Sequence, residues 1–191
     1  FFAPIAHAMP SGTYRHVTTE HELQQLVDEL ASQPFLAFDT EFVSEHTYRS
    51  HLCLVQIAAP DTLAVIDALE LPDLRPFWQL LAEQGRTTVV HAGREELGFI
   101  LHAIGTRPSS LFDVQIAAGL VDHDYPAGYA AICRRMLGVA TSKGETRTDW
   151  RQRPLSEPQM QYALDDVRHL ERLWKLLEDK LLPVANMFGY G

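Results

Sequence analysis

Phe35-Leu36-Ala37-Phe38-Asp39-Thr40-Glu41-Phe42 opens on four apolar residues and closes on two acids separated by one position. A run that is apolar on both alternating faces reads as a strand buried inside a sheet. Residues two apart on a strand share a face, so Asp39 and Glu41 project together. Two carboxylates emerging from so apolar a stretch repel each other and are poorly solvated unless a cation joins them. Hard oxygen donors favour magnesium or manganese over zinc or copper. A strand that simply ends at a solvated edge would carry the same pair, and the spacing alone leaves both readings open.

Outward from this strand the chain alternates elements at short intervals. Upstream, Thr19–Glu22 reads as a capping box opening a helix through Leu23, Leu26, Val27 and Leu30. Downstream, Leu52–Ala58 and Leu63–Ile66 flank the turn signal Pro60-Asp61 and read as a hairpin. Pro72 is placed to open a helix through Leu74, Phe77, Trp78 and Leu81, ending by Gly85. Thr87–His91 reads as a strand. Gly93–Ile104 reads as a helix with Leu97, Leu101 and Ile104 inward, stopped by Gly105. Leu111–Asp113 is a brief strand, followed by helical runs at Ile116–Val121 and Tyr129–Leu137. After the polar stretch Thr141–Pro154, a second capping box at Ser156–Gln159 opens one long helix to about Leu182, ended by Pro183. Strands joined by short turns, then alternating helix and strand, predict a mixed α/β sheet flanked by helices.

With 191 residues and 46% hydrophobic content, the chain has enough material for one domain with a real core. The expected organisation is a flexible lead over 1–13, one domain over 14–182 and a tail over 183–191, with Met9 a candidate natural start. No apolar run reaches the length of a membrane span. The two cysteines, Cys53 and Cys133, offer neither a disulfide framework nor zinc-ligand spacing, which predicts a reducing cytoplasm. The net charge of −9 is not that of a duplex-coating protein. It does suit a site that concentrates carboxylates around divalent cations, which then meet phosphate themselves.

Two further acidic stretches matter. Tyr162-Ala163-Leu164-Asp165-Asp166 puts Tyr162 and Asp166 four apart on one helix, hence on one face. Alone, the pair also fits a core-edge aromatic beside a surface charge. His91-Ala92-Gly93-Arg94-Glu95-Glu96-Leu97 turns from strand end into helix, where an acid in the first turn is ordinary complementation of the helix dipole.

In order, these three segments resemble the three exonuclease motifs of the DEDD superfamily, tyrosine subtype. Other stretches resemble RNase D: Thr47-Tyr48 leading to Leu52-Cys53-Leu54-Val55-Gln56, Asp113-Val114-Gln115-Ile116-Ala117-Ala118, and Arg147-Thr148-Asp149-Trp150 before Arg153-Pro154-Leu155. The resemblance spans about Tyr14 to Leu182 and implies an RNase H-like fold. It further implies a two-metal 3′→5′ exonuclease that uses Mg²⁺ or Mn²⁺ and needs no covalent intermediate. Asp39, Glu41, Glu96 and Asp166 would hold the ions, and Tyr162 would position the attacking water. Glu96 departs from the family's aspartate by one methylene, about 1.5 Å of reach.

For the substrate, Lys143, Arg147, Arg151 and Arg153 form the one basic cluster, suited to phosphates or to a solvated loop. Phe42 and His91 flank the acids and could stack on or hydrogen-bond a terminal nucleotide. Gln56, in an otherwise apolar strand, needs partners if buried and is a candidate either for bracing the acids or for tying the sheet. Asp113 is read as capping the helix that follows it. The implied partner is the 3′ end of RNA, tRNA precursors among the expected class, with no membrane and no obligate protein partner. Single-stranded DNA as substrate, a binding module impaired by Glu96, and a protein-interaction domain stand as alternatives.

Overall fold

The computed structural model describes residues 13–44, 50–122, 124–142 and 148–187, the side chains as far as Pro183. The expected lead over 1–13 therefore lies almost wholly outside the described residues, as do Lys143 and Arg147. Six strands form one sheet in the order β1-β4-β3-β2-β5-β6. They are β1 (Arg15–Val17), β2 (Phe35–Val43), β3 (His51–Ala59), β4 (Thr62–Asp67), β5 (Thr87–Val90) and β6 (Leu111–Asp113). Only β3 runs against its neighbours; β1 with β4, β2 with β5 and β5 with β6 are parallel pairs. This is the mixed, helix-flanked RNase H-like sheet that the motifs imply.

β2 is central, and its apolar start is buried on both sides. Leu36 and Phe38 enter a core with α1 (Glu20–Leu30), α2 (Arg75–Ala82) and α3 (Arg94–Ile104). Phe35 and Ala37 enter the opposite core, with α4 (Val114–Asp122), α5 (Tyr129–Ile132) and α7 (Leu170–Met187). α6 (Glu157–Arg168) completes that second layer over β3 and β4 through Met160, Ala163 and Leu164. Both predicted capping boxes are present, Thr19 with Glu22 and Ser156 with Gln159.

Four local readings are corrected by tertiary structure. α2 begins at Arg75 with Pro76 in its first turn, not at Pro72. α3 turns differently about its axis: Glu96 and Ile100 are the buried positions, and Leu101 is 51% exposed. The single long helix expected after Ser156 is two, α6 and α7, separated at His169. Pro183 does not end the second, which runs on to Met187.

Candidate active site

β5 pairs with β2 only as far as Ala37–Val89, so Asp39 and Glu41 stand on the part of β2 that outruns its parallel neighbour. They share the face covered by α6, and the register with β3 slips immediately after them, between Glu41 and Phe42. Such bulges bend a strand and re-aim its side chains.

The second acid is delivered by the β5–α3 turn. Ala92 has φ 57°, in the left-handed region. A Cβ on Gly93 would lie 2.4 Å from Val90 Cγ2, so only glycine allows the chain to turn this tightly against the strand. The Asp113 carboxylate holds the turn, accepting from the N–H groups of Ala92 (3.1 Å), Gly93 (3.0 Å) and Gln115 (2.8 Å). Asp113 thus does cap its own helix as expected, and it also organises the turn before Glu96, a long-range role with no local signal. The turn presents Glu96, 5% exposed, to Thr40, whose Oγ1 donates to Glu96 Oε1 at 2.6 Å. Thr40 was not singled out from the sequence because strand alternation puts it on the face opposite Asp39 and Glu41.

α6 brings the third segment. Tyr162 and Asp166 lie one turn apart, and the phenol hydrogen-bonds the Asp166 carboxylate. Asp165 looks elsewhere: it accepts from the backbone N–H and hydroxyl of Ser142 and lies 3.4 Å from Arg168 Nε.

The two acids of β2 feel the charges of Glu96 and Asp166. Burial, then the charges of Glu96, Asp166 and Glu41, raises Asp39 well above the usual carboxylate range. Burial, then Asp166 and Glu96, pushes Glu41 up to about 8. Burial lifts Asp166 to about 7 against the lowering hydrogen bond from Tyr162. Burial raises Glu96 while Thr40 opposes it. A buried set of like charges that all resist ionisation calls for positive charge among them. Its donors are hard carboxylate oxygens, which fit a divalent cation such as magnesium or manganese.

Even so, among the described residues no three Asp, Glu, His or Cys side chains stand grouped as a ready-made metal cage. Glu96, a methylene longer than aspartate, turns one oxygen to Thr40 and keeps Oε2 for other partners.

The candidate substrate residues separate. Phe42 packs edge-to-face on Phe99, ring centroids 5.7 Å apart, and is half-buried. His91 sets Nε2 3.0 Å from Ala127 O and its ring edge-on to Tyr129; burial lowers its proton affinity. This is the placement of a brace. Gln56 lies opposite Asp39 across β2–β3, fully buried, and neither of its amide atoms has a partner among the described residues. A side chain with no exposed surface does not touch a nucleotide, which rules Gln56 out as a substrate contact and leaves bracing the acids or tying the sheet. Of the basic cluster, Arg153 is engaged by Asp67 through Nε (2.5 Å) and Nη2 (2.7 Å), and Arg151 pairs with Asp149 at 2.8 Å. Neither is a free phosphate contact.

Comparison with known proteins agrees with this geometry. The 3′–5′ exonuclease family matches residues 14–182. Ribonuclease D of Shewanella sp. strain ANA-3 is 42% identical over 168 residues, 88% of this chain and 43% of that protein. The chain therefore spans less than half the length of such relatives. Escherichia coli RNase D, an exoribonuclease involved in structured RNA processing, superposes with a TM-score of 0.82 at 36% identity, over 91% of this chain and 48% of that one. Brucella melitensis NrnC bound to pGG gives a TM-score of 0.77 at 31% identity, over 94% of this chain and 87% of the other. The same protein with bound Mg²⁺ gives 0.71 at 31% identity, over 84% and 79%. By sequence and by fold, this chain belongs to the 3′–5′ exonuclease family.

Proposed function

We propose that the chain is an RNase D-like 3′→5′ exoribonuclease of the tyrosine DEDD subtype, releasing nucleoside monophosphates from RNA 3′ ends, with structured RNA such as tRNA precursors as its substrate class. One observation carries the reading: Glu96 at the start of α3 and Asp166 on α6 come near enough to Asp39 and Glu41 on β2 for their charges to raise the proton affinity of both, and Tyr162 is hydrogen-bonded to Asp166. Asp39, Glu41 and Asp166, with the second oxygen of Glu96, are the residues that would hold Mg²⁺ or Mn²⁺. Such ions would supply positive charge to activate a water and to stabilise the leaving 3′-oxygen. Tyr162, held on Asp166, orients the attacking water. Glu41 and Asp166 must surrender protons to act as ligands, so cation affinity rises with pH through 7 to 8. Free, buried Cys53 and Cys133 support a reducing, cytoplasmic setting.

The test is degradation of 3′-labelled and 5′-labelled RNA in parallel with Mn²⁺, with Asp39→Ala as control. Immediate release of labelled mononucleotide from the 3′ end and a stepwise ladder from the 5′ label, both lost in the variant, is the expected result. Internal cuts, or full activity in the variant, would remove the mechanism; matched single-stranded DNA separates a DNA exonuclease. The pGG held by the Brucella relative favours a second reading, in which very short oligonucleotides are the substrate. A length series from two to twenty nucleotides distinguishes them by where kcat/KM is greatest.

A further inference from the structure

The break between α6 and α7 has a side-chain cause. In an uninterrupted helix the His169 N–H would bond to the Asp165 carbonyl four residues back. Here the Tyr129 hydroxyl stands between them, accepting from His169 N–H at 3.2 Å and donating to Asp165 O at 2.9 Å. A group inserted into the backbone ladder is one of the few causes of a sharp helix break. His169 accordingly sits at φ −107° and ψ 0°, and α7 resumes with Leu173 N–H bonding back to His169 O at 3.0 Å.

Tyr129 is itself held in place. It is 9% exposed, and its ring meets His91 edge-on with centroids 5.7 Å apart. The Ala127 carbonyl beside it takes His91 Nε2 and Gln115 Nε2, each at 3.0 Å. His91 follows the end of β5, just ahead of the turn that delivers Glu96. A line of contacts thus runs from the base of the second acid, through Tyr129, to the peptide adjoining the last acid.

We propose that Tyr129 is a positioning residue of the acid site: its hydroxyl, wedged between Asp165 O and His169 N–H, fixes where the last turn of α6 presents Asp166 to the carboxylates of β2. The consequence for turnover rests on the nuclease reading; the consequence for cation binding does not. Without the hydroxyl, the helix must close onto the direct bond or admit water, and either outcome moves the turn bearing Asp166. Misplacement by about 1 Å at a reacting centre is enough for a hundredfold loss of rate.

Tyr129→Phe keeps the ring and removes only the wedge. Mn²⁺ binding, measured calorimetrically without nucleic acid, should weaken about tenfold, and kcat on RNA should fall about tenfold to a hundredfold with KM within about twofold. Replacing Tyr129 with p-aminophenylalanine, whose nitrogen is a poorer acceptor, should give values between the two. Leu177→Ala, on the buried face of α7, lowers stability without touching the wedge and should leave Mn²⁺ affinity at the wild-type value well below its melting temperature. Wild-type affinity in Tyr129→Phe, or equal weakening in Leu177→Ala, would overturn the proposal. If Tyr129→Phe does not fold, wild-type affinity in the p-amino variant overturns it and weakened affinity supports it. A wild-type chain that binds Mn²⁺ but leaves 3′ ends intact removes the nuclease reading alone, and the binding comparison still decides Tyr129. One that binds no Mn²⁺ removes both.

Discussion

Glu96 shows how one side chain can be set by a neighbour from the opposite face of a strand. Its carboxylate is buried, its proton affinity is raised by that burial, and the Thr40 hydroxyl donates to it at 2.6 Å. Removing the hydroxyl strands a buried carboxylate whenever it is charged. Thr40→Val should therefore cost about 1–3 kcal/mol at pH 8. The loss should shrink toward pH 5, the direction in which a carboxyl of raised proton affinity gains a proton and needs the donor less. Urea melts at the two pH values check this; an equal loss at both would mean that Thr40 matters only for packing. Gln56 poses the converse case, a fully buried amide with no partner among the described residues, directly across from Asp39. Gln56→Leu removes an unsatisfied polar group, so it should leave stability unchanged or raised. If the amide braces Asp39 during turnover, kcat falls nonetheless, and the divergence of melting temperature from kcat is the measurement.

At the scale of elements, the acid site depends on turns and loops anchored far from it. Arg153, in the stretch before α6, donates through Nε and Nη2 to Asp67, a carboxylate 1% exposed at the end of β4. Breaking a buried pair by removing one partner costs about 3–5 kcal/mol. Arg153→Ala should lower the unfolding free energy by that order and leave KM for RNA within about twofold at temperatures where the variant is folded. A large rise in KM would instead restore Arg153 to the phosphate contacts that its sequence context suggested. The same distinction marks what was legible beforehand. Asp39 and Glu41 were readable because alternation on a strand is local, and the two capping boxes because their partners lie three residues apart. The facing of α3 was not, because Leu97 and Leu101 offer a better apolar stripe than the one the fold uses, which buries the acid Glu96. The α6–α7 break could not be read from 156–182 at all, since its cause is a hydroxyl supplied by Tyr129 from another helix. Arg151 and Arg153 looked like free cations because the acids that bind them take effect only in three dimensions.

For the molecule as a whole, gathering four acids at one end of a buried strand opposes the stability of the fold, and the opposition depends on pH. In the unfolded chain these carboxylates titrate near about 4. In the folded protein Glu41 titrates at about 8 and Asp166 at about 7, with Asp39 and Glu96 also raised. Between those limits the folded state binds more protons than the unfolded state, so stability is greatest in mild acid and falls as pH rises through 7 and 8. In chelator, the melting temperature should drop between pH 5 and 8.5; a net change of about 2 kcal/mol corresponds to roughly 4–8 °C for a domain of this size. The net charge of −9 pulls in the same direction through general repulsion, so the slope alone does not identify the site. Glu41→Gln and Asp166→Asn do, because each removes one titrating group, and each should flatten the slope in chelator. A cation that binds only the folded state adds stability as its concentration exceeds Kd, and it competes with those same protons. Millimolar Mn²⁺ should thus raise the melting temperature little at pH 5 and most at pH 8.5, an effect lost in Asp39→Asn. A flat profile in chelator, or Mn²⁺ stabilisation that ignores pH, would show that these carboxylates do not share a buried site.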